Sequence, residues 1–485
     1  MRLDTLLAQG EAMHEELGRE YYLTGAGLKS EPEFQAIYDR YSAMAGDDAL
    51  AVARQSNSAE LLEWVVDIRV GRLVAPYEER QLVWEQKAMV QVDGLTVPFL
   101  RVPIELANSP DREFRKSLDE ARARGGALGL DGIRRGRFAL ERDAIEALAL
   151  GDYVEALSRL TGIDLEGLGA RGEMFLRDTD DMYEDGLGRL ARRRMGLPIS
   201  QLVRSDAAWL FRASRYDAAF PSERMLETAA AQMREMGLDA AQHGRIRFDT
   251  EERSGKQPRA FCAPVRVPEE VYVVLRPRGG HGDYRTFWHE LGHAMHFASV
   301  APDLPFQARR LGDNSVTEGY AMLWDHLTLD RKWLVRYAGL SGEDARDLTF
   351  ELAVSELFLI RRYAAKLLYE LELHRSDLTG TGCRYAELLT EATRFRYLED
   401  DCLLDVDPGF YAARYLRAWQ LEAALAQMLV EHYDEDWYRN PRAGARVLEL
   451  MSRGQDAPAH RLVEQETGAP LSFDNVAARV AAVID

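Results

Sequence analysis

"VYVVLRPRGGHGDYRTFWHELGHAMHF" (271–297) holds three patterns in succession. The β-branched and aromatic run at its start reads as a strand. Gly279, Gly280 and Gly282 then mark a loop, and from Tyr284 onward apolar residues recur three and four apart, the period of a helix. Asp283 stands where its carboxylate can accept from the open N–H groups of a first helical turn, so it is the expected N-cap. A small sheet thus leads into a helix that carries His289, Glu290, His293 and His296 in a chain with ten histidines.

Upstream, "RAFCAPVRVPEEVYVVLRPRGGHGD" (259–283) extends the strand into a β-hairpin. Helix dominates elsewhere: residues 58–86, 112–124, 180–196 and 345–375 all space apolar residues three and four apart with few breakers. The expected fold class is therefore mostly α, with a small β-hairpin or sheet beside the histidine helix. The stretch "MGLPISQ" (195–201) suggests a boundary between an N-terminal helical lobe, 1–198, and a catalytic lobe, 199–485, unless the two form one continuous domain.

The formal charge of −19 argues against nucleic acid as a partner, because phosphate-backbone binding needs a basic face. Three widely spaced cysteines provide neither a disulfide framework nor a thiolate zinc site, which points to a reducing, cytoplasmic setting. No apolar run approaches the length of a membrane span, and acidic residues interrupt the N-terminus where a signal core would lie, so no membrane partner is expected.

Four residues along a helix is about 400° of rotation, so His289 and His293 project from one face about 6 Å apart. Two imidazoles so placed converge on one ion, and zinc accepts them readily while keeping one position open for water. Glu290, beside the first histidine, is placed to act on that water as a general base. A chance HExxH in a chain this poor in histidine has a probability on the order of 1%. A third histidine six residues beyond the motif is ruled out, because position 299 is Ser299. His296 lies about 10 Å along the axis from His289, too far to share its ion, and suits a supporting or substrate-contacting role, or a structural one. The better third ligand is Glu318, in a second helix that opens after Asn314, Ser315 or Thr317. Asp325 and His326 follow two turns on, as support for the site or as solvated surface.

"HELGHAMH", with Glu318 at this distance, resembles the zinc oligopeptidases of the thimet oligopeptidase and oligoendopeptidase F family, which is related to the angiotensin-converting enzyme group. The resemblance spans residues 253–325 and includes "GKQPRAFCAPV", similar to the family's substrate-edge strand. It implies a large helical two-lobed body with a deep substrate channel, one Zn²⁺ per chain held by His289, His293 and Glu318, and an oligopeptide substrate. It also implies peptide contacts at Ala260, His281 and His296. A segment similar to the family's tyrosine-rich one, "DPGFYAARYLRAWQLEAAL" (407–425), offers Tyr415 as the oxyanion donor and Tyr411 as a second cleft residue. One departure stands out: relatives carry a histidine ten to twelve residues before this tyrosine, where this chain has Leu403, Leu404 and Asp405.

The expected activity is that of a zinc oligoendopeptidase. A zinc carboxypeptidase or dipeptidyl carboxypeptidase is the alternative, and it would need a fixed cation such as Arg276, Arg285 or Arg414 for the substrate carboxylate. A non-catalytic peptide-binding protein is a third reading.

Overall fold

The computed structural model describes residues 1–376 and 381–484. The helical periods become helices Ala59–Lys87, Arg112–Glu146, Asp180–Met195 and Gly342–Arg375. The fold is mostly α, as the spacing predicts. The chain forms two compact units, each assembled from separate stretches.

One unit comprises Val70–Ala213, Phe350–Leu416 and Ala477–Asp485. Its β content is a hairpin of β1 (Met89–Val92) and β2 (Leu95–Pro98), closed by Asp93 and Gly94, both at positive φ. That two-residue Asp-Gly turn matches the right-handed twist of paired strands, so it closes a hairpin without splaying it. Buried charges in this hairpin unit are paired. Arg115 meets Asp206 at 3.1 Å, and Arg122 meets Asp401 at 2.6 Å, as burial of an ion requires.

The other unit comprises Met1–Arg69, Ser214–Thr349 and Arg417–Val476. It holds a sheet of β3 (Ile246–Asp249), β4 (Phe261–Arg266) and β5 (Glu270–Val274), in the order β3-β5-β4. The expected hairpin is β4 and β5, paired antiparallel from Phe261–Val274 to Arg266–Glu270. β3 adds in parallel on the far side of β5. Central β5 is buried along its whole length, which suits its near-continuous apolar run.

The N-terminal helix, Leu3–Gly25, covers one face of this sheet: Tyr22 and Ala26 pack with Phe261, Ala263, Val265 and Tyr272. It lies so close that a Cβ at Gly25 would stand 2.5 Å from the Phe261 ring. The histidine helix, His281–Ser299, also packs against β4 and β5. Its core side carries Trp288, fully buried, whose indole N–H donates to Gln232 Oε1 at 2.9 Å. The indole of Trp333 donates to the same oxygen at 2.8 Å.

Candidate metal centre

Two helices of the sheet unit build the site. The histidine helix begins at His281, two residues before Asp283, and Gly280 at φ +89° is its N-cap. The Asp283 carboxylate instead accepts the N–H groups of Arg278 (2.7 Å) and Gly279 (3.0 Å). This corrects the expected cap: the glycine loop folds back over the helix start and presents its own amides to the carboxylate. Positive φ at Gly279 and Gly280 makes that fold possible, since such values are strained for other residues.

The second helix is Asn314–Asp325, capped by Asp313, whose carboxylate accepts the Ser315 N–H at 2.9 Å. Asp313 also accepts from Arg417 (2.7 Å) and from the Ala459 N–H (3.0 Å). Burial works against its ionisation, but Arg417 and these hydrogen bonds outweigh it and hold the carboxyl at about 2. The helix therefore opens one residue earlier than the earliest candidate cap, and Glu318 stands one turn inside it. A Cβ at Gly292 of the histidine helix would lie 2.7 Å from the Ala321 Cα, so the two helices touch backbone to backbone where the site forms.

At that crossing, His289 Nε2 lies 3.3 Å and His293 Nε2 3.7 Å from Glu318 Oε2. The three ligand atoms all fall within 4.8 Å of one another, and the two imidazole planes are nearly perpendicular, at 88°. Each ring is also held from behind. His289 Nδ1 is 2.8 Å from Asp325 Oδ2, and His293 Nδ1 is 3.0 Å from Thr317 Oγ1. Arg285 Nε donates to the other Asp325 oxygen at 3.2 Å.

With its Nδ1 engaged in this way, each imidazole turns its Nε2 toward Glu318. Two imidazole nitrogens and one carboxylate oxygen, oriented by bonds to their outer atoms, form a donor set that fits zinc.

The electrostatics follow from the same contacts. Burial opposes charge on His289, but Asp325 and Glu318 outweigh it and push the ring up to about 10. Burial pushes His293 down to about 4, with Glu318 acting in the other direction. Burial likewise raises the Glu290 carboxyl to about 7, against the pull of His289 and of the nearby Cys262 backbone. A carboxyl poised near neutrality exchanges a proton readily in either direction.

The remaining sequence-derived residues lie as follows. His296 is fully buried against Phe297 and Tyr320 with Nε2 3.3 Å from the Gly454 carbonyl oxygen, a packed position inside the body. His281 is buried with Nε2 3.0 Å from the Thr328 carbonyl oxygen. Ala260 immediately precedes β4. His326 is buried, 2.8 Å from Glu422. Tyr411 and Tyr415, both in the hairpin unit, sit edge to face at 5.2 Å on helix Tyr411–Tyr433.

The sequence does not mark Thr317 as a site residue, and it leaves Asp325 open between support and surface. A signal for Asp325 exists: it stands seven residues, two helical turns, after Glu318 and so on the same face. Arg285, a candidate anchor for a substrate carboxylate, is engaged with Asp325 instead.

A scan against protein-family models and a search of curated proteins both give no match. Among solved structures the chain is similar to Pz peptidase A with an inhibitor, with a TM-score of 0.62 and 16% identity over 97% of this chain and 84% of that one. At that identity the likeness establishes the fold.

Proposed function

We propose that this chain is a zinc peptidase that hydrolyses short peptides in the manner of an oligoendopeptidase, with one ion held by His289, His293 and Glu318. The observation that carries the reading is the convergence of two imidazole Nε2 atoms on one buried carboxylate, each ring fixed from behind. The likeness in fold to a structure named as a peptidase supports it. When bound, zinc supplies Lewis-acid polarisation of the scissile carbonyl and makes water more acidic. Glu290, next to His289, takes the proton of the attacking water and hands it to the departing amine. Asp325 and Thr317 keep the imidazoles aimed at the ion.

The test is bound zinc and peptide hydrolysis, measured side by side for wild type and Glu290→Gln. Both proteins should hold about one zinc, and the variant should cleave a mixed peptide pool about 10²–10⁴-fold more slowly. Wild type that holds zinc and cleaves nothing, or a variant as active as wild type, would overturn the reading. Parallel digestion of free and C-terminally amidated peptides separates internal cutting, which tolerates the amide, from carboxypeptidase action, which does not.

A further inference from the structure

Helices Ala59–Lys87 and Arg112–Glu146 meet in the hairpin unit, where two glycines set their distance. The ring of Trp84 takes the place of a Cβ at Gly129, and the ring of Tyr77 takes that of one at Gly136, so the two helices run antiparallel. Along this seam lies a pocket of about 230 Å³. Glu78, Gln81, Leu82 and Glu85 line it from the first helix at spacings of three and four, which is one helical face. Arg134, Arg137 and Phe138 do the same from the second, and Val406 and Pro408 close it.

The four charges of the pocket cancel in number but not by contact. Arg137 is neutralised on both sides, with Nη2 3.1 Å from Glu78 and Nη1 3.0 Å from Glu141. Arg134 differs. Its Nη1 donates to the Leu403 carbonyl at 2.6 Å, while among the described residues its Nε is buried without a partner and no carboxylate pairs with it. The Nε–Nη2 edge, the side of a guanidinium that holds a carboxylate by two parallel bonds, is therefore unused within the described chain. Burial lowers this guanidinium from its ordinary value and Arg137 adds to the effect, which Glu85, Asp405 and Asp131 offset only in part. Glu85 accepts from Gln81 Nε2 at 2.9 Å and pairs with no cation among the described residues. One unpaired cation and one unpaired carboxylate thus line the same small space, too far apart to pair with each other.

We propose that this pocket binds the zwitterion of a free amino acid with an apolar side chain. The ligand carboxylate takes the Nε–Nη2 edge of Arg134, the ammonium goes to Glu85 and the Gln81 amide oxygen, and the side chain lies on Leu82, Phe138 and Pro408. Simple ions fit poorly: an inorganic anion that satisfies Arg134 is repelled by Glu85, and a cation that satisfies Glu85 is repelled by Arg134. The volume, about 230 Å³, falls below the roughly 300–1,000 Å³ of pockets for drug-sized ligands, so the ligand is small. Every lining residue belongs to the hairpin unit, whereas His289, His293 and Glu318 belong to the sheet unit.

Isothermal titration of the full-length protein with L-leucine tests this, beside L-leucinamide, N-acetyl-L-leucine and acetate, for wild type, Arg134→Gln and Glu85→Gln. Wild type is expected to bind leucine saturably, and leucinamide and N-acetylleucine each at least about 10-fold more weakly, because each lacks one of the two charges the pocket pairs. Arg134→Gln should weaken leucine binding by about 10-fold or more. Glu85→Gln should weaken leucine while leaving N-acetylleucine unchanged or tighter, a reversal of preference that a misfolded variant cannot produce. Wild type that binds no leucine, or leucine bound equally well by both variants, would overturn the proposal. Acetate bound as tightly as leucine would overturn the zwitterion assignment. Zinc content and peptide hydrolysis bear on the peptidase reading alone, so the two readings fail separately.

Discussion

Asp325 illustrates what a single buried carboxylate does here. It lies 2.8 Å from His289 Nδ1, is itself held by Arg285, and keeps the second ring nitrogen aimed at Glu318. Replacing it with Asn leaves a group of the same shape that no longer favours a proton on Nδ1. Asp325→Asn should therefore weaken zinc binding about 10–100-fold with the fold intact, as read by competition against a chromophoric chelator; unchanged affinity would show that the contact does not aim the ring. The proposed histidine ligands are legible in the sequence because HExxH is local, with spacing and chemistry lying within about one helix turn. Asp325 and Thr317 were not, because their roles depend on how a second helix docks against the first. The same holds for His296, whose burial is decided by residues as distant in the chain as Gly454.

At the scale of elements, the crossing of the two site helices depends on Gly292. Alanine there would meet the Ala321 backbone and the Trp324 ring, each 2.7 Å from the new Cβ. Overpacking of this kind costs about 1–3 kcal/mol, against a helix-propensity gain of about 1 kcal/mol. Gly292→Ala should lower the urea midpoint and, by separating the helices, weaken zinc binding as well; a stabilised variant with full affinity would refute the packing argument.

The cap of the Glu318 helix carries a pH signature. Asp313 is held at about 2 when folded, below the ordinary aspartate value of 3.8. Its folded pKa is depressed, so its contribution to stability is present above about pH 4 and is lost as pH falls toward 2. The shift corresponds to about 2 kcal/mol. Asp313→Asn should be destabilised relative to wild type at pH 6, and the gap between them should narrow at pH 3, as urea titrations at the two pH values would show. A gap that is constant with pH would mean that the charge on Asp313 contributes nothing.

Elements differ in how plainly they announce themselves. Long amphipathic helices were readable from spacing, and the β4–β5 hairpin from its β-branched runs. The β1–β2 hairpin went unread although Asp93-Gly94 carries its turn signal, because four-residue strands between long helices offer little alternation to count. β3 is equally short, and its parallel partner β5 lies more than twenty residues on, so no local pattern points to it.

For the whole molecule, the three proposed zinc ligands, His289, His293 and Glu318, all belong to the sheet unit. Zinc bound there stabilises that unit by mass action, by about 4 kcal/mol at a thousandfold excess over Kd. Chelation should lower the melting temperature in calorimetry. If the units melt in separate transitions, only the one containing the sheet unit moves. A thermogram unchanged by the chelator would contradict a zinc site of useful affinity. Among the described residues no helix is long and apolar enough to cross a membrane.

The amide oxygen of Gln232 has a consequence of another kind. It receives the indole protons of both Trp288 and Trp333, from two different helices, in a fully buried setting. One substitution at position 232 would strand two donors at once, while either tryptophan can change without orphaning the other. The dependence is asymmetric: loss of the glutamine leaves two buried donors without an acceptor, whereas loss of either indole removes one bond and leaves the other intact.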